Sequence, residues 1–398
     1  MTVFLTHLQG KGNVYVAERK VLCSLCLCLV VFALVSMGGG SKHEVPKVNW
    51  VFEAPSSYTK EEFLSVGLSG DGNPIQSPIK VSEGMVFFST YEGALYAVDE
   101  DDGSLIWSSD IFDETGRNIA LYENLIFFGE GVVTDASREA GGKVVALNKH
   151  TGEEVWSFTA DDLSGVWGIT TRAGNVIFST RYKIYALDAA TGAAQWQFSP
   201  VDFRGGLSSK EGLVYFQDTS TDIYALDAES GEVVFSYESD VEADYTPRGD
   251  IALHEDNFIF TSGDQKEPVL YSYSVGGIKN WQAPLDGISF SSVVADECCV
   301  FLGTENGRES SFHSLDINSG ELVWSHDNEG FVRHTPLIHG GKIYLSYAGN
   351  KVVSINKKNG QLARSLEIEG DVFTPIVPSS NGFLFGTFEG AVYSIKEP

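Results

Sequence analysis

Cysteine is scarce in this chain of 398 residues. Three of the five cysteines, Cys23, Cys26 and Cys28, fall in an apolar N-terminal stretch, and the other two are adjacent, at Cys298 and Cys299. A disulfide-stapled scaffold is therefore excluded, because such folds need several cysteines spread along the chain. Most of the molecule has to be held together by a hydrophobic core.

Positive charge is also in short supply. The chain carries 27 Lys and Arg against 54 Asp and Glu, a formal net charge of −27. An acidic surface repels phosphate backbones, and no basic stripe with interleaved aromatic residues occurs, so the sequence argues against nucleic-acid binding. Basic partners or divalent cations suit such a surface better.

Motifs for catalysis and metal binding are missing as well. There is no G-x-S-x-G, phosphate-binding loop or H-E-x-x-H, and the eight histidines lack the spacing of metal ligands. His334 and His339 are interpreted as ordinary surface or turn residues near the start of a strand pair. We therefore predict no catalytic residues, no metal site and no cofactor.

A single long apolar run stands near the start of the chain, at Val21–Met37, directly after Arg19 and Lys20. Positive charge followed by such a run predicts a cleaved signal peptide, although its length also allows an uncleaved membrane-spanning helix. No cysteine follows small residues at the end of the run, so a bacterial lipoprotein is not expected. Residues 1–42 are predicted to be a signal peptide or an N-terminal membrane anchor, and residues 43–398 the exported domain.

What the chain has in abundance is a repeat of about 40 residues. Each copy holds an Asp or Asn and a Gly four residues later, and in most copies an aromatic residue stands eight residues after the Asp or Asn. The polar position is filled by Asp99, Asn148, Asp188, Asp227, Asp316 and Asn356. The glycines are Gly103, Gly152, Gly192, Gly231, Gly320 and Gly360. The aromatic residues are Trp107, Trp156, Trp196, Phe235 and Trp324, with Trp281 in a shorter, degenerate copy around Ser274.

Each repeat predicts four short antiparallel strands. Residues alternate with a period of two before the Asp, whose carboxylate caps a turn, and the Gly supplies the positive φ that closes a hairpin. Four such strands form one propeller blade. The chain ends on a third strand at Gly390–Pro398, and Val48–Ala54 carries Trp50 in the pattern of a fourth. The prediction is an all-β, eight-bladed β-propeller whose last blade is closed by the N-terminal strand.

The recurring aromatic residues are interpreted as packing elements. A Trp buries 150–250 Å², which is enough to dominate a seam between two blades. Trp50 and the other tryptophans of the repeat are therefore predicted to pack between blades.

The repeat Ala-x-Asp/Asn-x-x-Thr/Ser-Gly-x-x-x-Trp resembles the quinoprotein-type repeat of pyrroloquinoline-quinone (PQQ) dehydrogenases and their non-enzymatic relatives. Length, blade number, closure and the ending "EGAVYSI" (Glu389–Ile395) are most similar to the BamB family. The resemblance implies an exported scaffold that docks protein partners within an outer-membrane β-barrel assembly complex. It also implies that Phe203 and Arg204, in "DFRGG" (Asp202–Gly206), contact the partner.

The expected function is thus a non-catalytic, monomeric scaffold of the cell envelope. It would lie in the periplasm or on the extracytoplasmic face, with membrane association through the N-terminal segment or a partner. One alternative is an extracellular sensor or carbohydrate-binding propeller. Another is a PQQ-dependent dehydrogenase, in which adjacent cysteines such as Cys298 and Cys299 form a disulfide against the cofactor. The repeat favours a structural interpretation of the pair, within the second strand of a blade.

Three irregular insertions are candidates for binding, because long loops on a rigid ring are where recognition residues concentrate. They are Ser56–Gln76, Gly129–Gly142 and Tyr237–Asp250. Arg138, Arg248 and Arg333 are cations in acidic surroundings and are predicted to form salt bridges.

Overall fold

The computed structural model describes residues 47–56, 72–111, 116–130, 142–162, 164–199, 206–220, 222–238, 251–263, 267–275 and 277–397. Phe203, Arg204 and the predicted leader at 1–42 therefore lie outside the described residues. Every regular element in the described part is a β-strand. Within these ranges the protein has no helix with the length and apolar character needed to span a bilayer.

The strands form eight antiparallel sheets of four strands each. Blade 1 contains β2 (Lys80–Ser82), β3 (Met85–Ser89), β4 (Ala94–Asp99) and β5 (Leu105–Asp110), and blade 2 contains β6 (Gly116–Tyr122), β7 (Leu125–Glu130), β8 (Lys143–Asn148) and β9 (Glu154–Thr159). Blade 3 contains β10 (Gly168–Arg172), β11 (Asn175–Ser179), β12 (Ile184–Asp188) and β13 (Ala194–Phe198), and blade 4 contains β14 (Ser208–Lys210), β15 (Leu213–Gln217), β16 (Ile223–Asp227) and β17 (Val233–Tyr237).

The remaining four blades follow the same order. Blade 5 contains β18 (Ala252–His254), β19 (Asn257–Gly263), β20 (Pro268–Ser274) and β21 (Lys279–Pro284), and blade 6 contains β22 (Val294–Ala295), β23 (Cys299–Asn306), β24 (Glu309–Asp316) and β25 (Leu322–Asp327). Blade 7 contains β26 (Leu337–His339), β27 (Lys342–Tyr347), β28 (Gly349–Asn356) and β29 (Leu362–Val372), and blade 8 contains β30 (Val377–Ser379), β31 (Gly382–Gly386), β32 (Ala391–Ile395) and β1 (Val48–Glu53).

Blade 8 closes the ring with strands from both ends of the sequence. β1 runs antiparallel to β32, with Trp50 opposite Ser394 and Val51 opposite Tyr393. The predicted all-β, eight-bladed propeller and its closure by the N-terminal strand are therefore confirmed. The edge of β32 is therefore paired with β1 and not left open.

The hydrophobic core lies between blades. The described residues contain eight clusters of buried side chains, and each cluster takes its members from two successive blades. In the seam between blades 1 and 2, Phe87 and Trp107 of blade 1 pack against Phe128 of blade 2. Stability therefore depends on contacts between neighbouring sheets, which include the seam made by the two ends of the chain.

The Asp-to-Gly turn of each repeat is built by its own side chains. Asp188 Oδ1 accepts hydrogen bonds from Thr191 N at 2.8 Å and from Thr191 Oγ1 at 2.7 Å, and Gly192 has a φ of 72°. The same side-chain cap on backbone N–H groups occurs at Asp99, Asn148, Asp227, Asp316 and Asn356. Gly103, Gly152, Gly231, Gly320 and Gly360 likewise have positive φ.

In six blades a tryptophan docks on the turn of the next blade. Trp107 Nε1 donates a 2.9 Å hydrogen bond to the Lys149 carbonyl, and a Cβ on Gly152 would lie 2.7 Å from Trp107 Cε3. The same donor–acceptor pairing joins Trp50 to Glu100, Trp156 to Ala189, Trp196 to Ala228, Trp281 to Ile317 and Trp324 to Lys357. Phe235 packs on Gly277 in the same way. The turn glycine is needed twice, for its φ and for the space that the ring occupies.

One seam lacks the aromatic residue. In blade 7 the position opposite Ser354 is Arg364, where the other blades have Trp or Phe. The next sheet is blade 8, whose third and fourth strands, β32 and β1, are not joined by an Asp-to-Gly hairpin. No turn glycine is available there to receive a ring, so the absence of Trp has a structural reason.

Candidate functional site

The two ends of the blades carry different connections. Hairpins between first and second strands and between third and fourth strands lie at one end, which we call the turn face. Hairpins between second and third strands, together with the links between blades, lie at the other end, which we call the loop face, because neighbouring strands are antiparallel. The strands that flank the insertions Ser56–Gln76, Gly129–Gly142 and Tyr237–Asp250 end at the loop face, whereas most residues of these insertions lie outside the described part of the chain.

A cavity of about 380 Å³ opens on the loop face where blades 6, 7, 8 and 1 meet. Its described lining is aromatic, with proline and hydroxyl side chains between the rings. The lining residues are Gln76, Ser77, Pro78, Tyr91, Phe290, Ser292, Arg333, His334, Thr335, Phe373, Thr374, Pro375 and Phe388. We call this group the aromatic cavity. Gln76, the last residue of the first insertion, is the part of that insertion that reaches it.

Buried hydroxyl groups hold the segments that line the cavity. In three blades, the Ser or Thr before the first strand accepts a hydrogen bond from a backbone N–H of the second strand. These bonds join Ser89 N to Ser77 Oγ at 2.9 Å, Gly303 N to Ser291 Oγ at 3.0 Å and Gly386 N to Thr374 Oγ1 at 2.8 Å. The residue before each of these hydroxyl groups lines the cavity, namely Gln76, Phe290 and Phe373. Rigid backbone thus presents the side chains in fixed positions.

The rings form a connected surface. Phe373 and Phe388 meet edge to face with centroids 5.1 Å apart, and the His334 ring lies 6.0 Å from that of Phe373. Phe373 is 37% exposed although it is a large apolar side chain. An exposed aromatic residue supported by other rings is typical of a binding surface.

Arg333 lies at the rim of the aromatic cavity with its charge neutralised. Its Nε and Nη2 each donate a 3.0 Å hydrogen bond to the Glu305 carboxylate, and this bidentate pair raises the pKa of Arg333. The guanidinium also lies 5.0 Å from the Phe331 ring centroid and 5.8 Å from that of Phe290. The salt bridge predicted for Arg333 is present. Arg138 and Arg248 lie outside the described residues.

His334 differs from the sequence interpretation. It lines the cavity and is half-buried, and burial together with the Arg333 charge lowers its pKa to about 4. The imidazole is therefore neutral near pH 7 and packs as an aromatic ring. His339, in contrast, is an exposed residue at the end of β26.

The placement of the cysteine pair also needs correction. Only Cys299 belongs to the second strand of blade 6, whereas Cys298 lies in the turn before it. Asp296 stabilises this turn by accepting hydrogen bonds from both cysteine N–H groups, which keeps Cys298 out of the β-ladder. Both thiols are free, Cys298 is exposed and Cys299 is buried. The pair lies on the turn face, at the opposite end of the blade from the aromatic cavity.

PQQ, the cofactor of the dehydrogenase alternative, does not match the cavity. It carries three carboxylates, but Arg333, the one Lys or Arg among the described lining residues, is already paired with Glu305. The described lining contains no Asp or Glu that could ligate a calcium ion beside a quinone. The cavity residues therefore do not fit this cofactor.

The closed ring, the Asp-to-Gly turns and the docked tryptophans define an eight-bladed propeller of the quinoprotein type. The chain belongs to the family of outer membrane protein assembly factor BamB, whose family model matches residues 50–179, 180–252 and 240–392. The resemblance to this family predicted from the repeat is thereby confirmed.

Individual relatives are distant. BamB from Moranella endobia is 25% identical over 285 residues, which cover 70% of this chain and 61% of that protein. Quinoprotein alcohol dehydrogenase PedH from Pseudomonas putida is 29% identical over 152 residues, or 33% of this chain and 24% of PedH. The crystal structure of BamB from Moraxella catarrhalis matches with a TM-score of 0.64 at 16% identity, covering 87% of this chain and 97% of that one. The chain spans less than two thirds of these curated relatives, so the likeness concerns the propeller.

Proposed function

We propose that this protein is a non-catalytic, exported scaffold that docks a protein partner through the aromatic cavity of its loop face. Family membership supports the scaffold role, because the family is named for the assembly of outer-membrane proteins. The observation that carries the proposal is a group of clustered rings around an exposed Phe373. Aromatic and Arg side chains are the residues most enriched in the energetic centres of protein interfaces.

The charge distribution around the cavity suits a protein partner. Arg333 is about half exposed and Glu305 is 8% exposed, so the charge of the pair is balanced next to the rings. A partner can cover such a surface without leaving an isolated charge in a dry interface. We propose a monomeric scaffold in the periplasm or on the extracytoplasmic face of the envelope, associated with the membrane through residues 1–42 or through its partner.

Affinity capture from detergent-solubilised envelopes tests the proposal with the full chain. We expect the wild type to recover a component of the barrel-assembly complex. Phe373→Ala should weaken that binding by about 30-fold, the effect of losing about 2 kcal/mol at the centre of an interface. Ile278→Ala is the matched control, because Ile278 is 71% exposed but lies in a turn-face hairpin of blade 5.

The outcomes separate clearly. Loss of the component with Phe373→Ala and its retention with Ile278→Ala would support docking at the aromatic cavity. Recovery without any barrel-assembly component would refute the BamB-like role. Equal recovery by wild type and Phe373→Ala would refute this location for the docking surface. Thermal melting of both variants establishes that the ring is intact.

A PQQ-dependent dehydrogenase is the second candidate, favoured by the likeness of part of the chain to PedH. It requires that purified protein, supplied with PQQ and Ca²⁺, oxidises alcohols or sugars. We expect no turnover and no absorbance change from bound quinone, because the described cavity residues supply neither a free cation for its carboxylates nor an Asp or Glu to ligate calcium.

A further inference from the structure

Asp296, Cys298 and Cys299 bring three metal-ligating atoms together on the turn face of blade 6. One carboxylate oxygen and the two sulfur atoms all lie within 4.8 Å of one another. Oxygen and sulfur ligands of a tetrahedral zinc ion are about 3.5–3.8 Å apart, given bond lengths of about 2.0 Å to oxygen and about 2.3 Å to sulfur. Small side-chain rotations therefore suffice to place all three atoms around one ion.

The turn that carries these residues departs from the repeat. In six blades the first residue of the hairpin between first and second strands has a positive φ, namely Glu83, Glu123, Ala173, Glu211, Glu255 and Gly340. This is the usual form of a two-residue hairpin. In blade 6 the turn residues are Glu297 and Cys298, and neither has a positive φ. Cys298 takes the position that Gly84 holds in blade 1.

The Asp296 side chain holds the backbone of this turn and contacts the Cys298 thiol. Asp296 Oδ1 accepts hydrogen bonds from Cys298 N at 3.0 Å and Cys299 N at 3.1 Å. The Cys298 thiol donates to the same oxygen at 3.2 Å. The sulfur is already directed at the carboxylate, and the thiol proton occupies the place that a cation would take.

The charge around the cluster suits a divalent ion. Lys357, from the turn of blade 7, donates to Asp296 Oδ2 across the seam. Two thiolates, one carboxylate and a divalent cation have a net charge of −1, which the Lys357 ammonium neutralises. Because Asp296 and Lys357 are mostly buried, such neutrality removes the cost of an unbalanced charge.

We propose that Asp296, Cys298 and Cys299 form a binding site for a thiophilic divalent cation of the zinc class. Thiolate and carboxylate are both zinc ligands, and two sulfur donors select against calcium and magnesium. Exposure of Cys298 leaves the fourth position of the ion open to water. The site would link blade 6, through Asp296 and Lys357, to blade 7.

Cadmium titration tests the site, because cadmium–thiolate coordination gives an ultraviolet charge-transfer band. The protein is the full chain with Cys23, Cys26 and Cys28 replaced by Ser, kept reduced with a phosphine. We expect the band to saturate at one cadmium ion per chain and to disappear when Zn²⁺, but not Ca²⁺, is added. Zinc alone should raise the melting temperature.

Variants identify the ligands. Cys298→Ser and Cys299→Ser should each abolish tight binding. Asp296→Asn should weaken it at least about tenfold while preserving the turn, because Asn148 and Asn356 cap their turns with an amide oxygen. Glu297→Gln, the adjacent non-ligand, should bind as the wild type does. A missing band at equimolar cadmium, a band that survives Cys299→Ser, or unchanged affinity in Asp296→Asn would overturn the proposal.

Discussion

Removing Trp107 tests the central packing feature of the ring. The side chain is 8% exposed, packs against Phe87 and donates to the Lys149 carbonyl of the next blade. Truncating a buried Trp to Ala costs about 3–5 kcal/mol. Roughly 350 propeller residues have an unfolding entropy of about 0.7 kcal/mol/K, so Trp107→Ala should lower Tm by roughly 4–7 °C.

Trp107→Phe separates the ring from its hydrogen bond. This variant keeps most of the apolar contact, as Phe235 does in blade 4, and loses the indole donor. The expected cost is about 1 kcal/mol, or a fall in Tm of 1–2 °C. Scanning calorimetry measures both variants under the same conditions.

Gly152 provides the complementary test. A Cβ at this position would lie 2.7 Å from Trp107 Cε3, and the residue has a φ of 72°. Gly152→Ala should therefore cost about 1–2 kcal/mol for the backbone conformation, plus the displacement of the ring. In the Trp107→Ala background only the backbone cost should remain, so the two changes should be non-additive by about 1 kcal/mol or more. An unchanged Tm in Trp107→Ala, or strictly additive costs, would refute docking of the ring on this turn.

Two further predictions concern pH and the turns. The pKa of His334 is about 4, below the value of about 6.5 for an unfolded histidine, so between these pH values only the unfolded chain takes up the proton. Acidification should thus remove up to about 3 kcal/mol of stability. Urea unfolding of His334→Phe should show a correspondingly smaller difference in stability between pH 7 and pH 4.5 than the wild type does. Identical pH dependence in both proteins would contradict the burial of a neutral imidazole. Asn148→Ala should lower stability by about 1 kcal/mol, because the N–H groups of His150 and Thr151 lose their acceptor. Asn148→Asp keeps an acceptor oxygen and should preserve Tm. Equal Tm values for the two variants would show that the cap is dispensable.

The strand pairing could be predicted because its signals are local and repeated. Asp188 and Gly192 form one turn from five consecutive residues, so their spacing identifies a hairpin wherever it recurs. Closure by the strand of Trp50 could be predicted because this segment has the pattern of a fourth strand without the other three. In a ring, such a strand can only complete the last blade, which lacks its own fourth strand. These inferences did not require knowledge of how distant side chains meet.

The bulge beside each tryptophan escaped sequence analysis. Ala97 lies opposite Trp107 and Val98 opposite Leu105, so Ile106 is an extra residue in the fourth strand. The same shift recurs in other blades, for example between Ala186 and Leu187. Because the bulge recurs at the same place in these blades, it does not change the spacing between their repeats, and no residue type marks the extra position. The sequence pattern of the strands therefore does not reveal it.

The aromatic cavity could not be predicted for a different reason. Its walls come from four blades, so residues as distant in sequence as Gln76 and Phe388 share one surface. The sequence does not reveal the burial of His334, because its neighbours in the cavity, such as Phe373, come from other blades. One sequence signal does point to Phe290 and Phe373. When the segments before the first strands are aligned on their buried Ser or Thr, these two residues occupy the position just before the hydroxyl residue.

Pairing of β1 with β32 has a consequence for biogenesis. The two strands are separated by roughly 340 residues, and at about 5–20 residues per second β1 waits about 17–70 s for its partner to be synthesised. During that interval the nascent chain displays an unsatisfied strand with half-exposed Val48 and Val51, which invites misassociation. A holdase that covers Val48–Glu53 until translation ends would therefore increase the yield of closed rings.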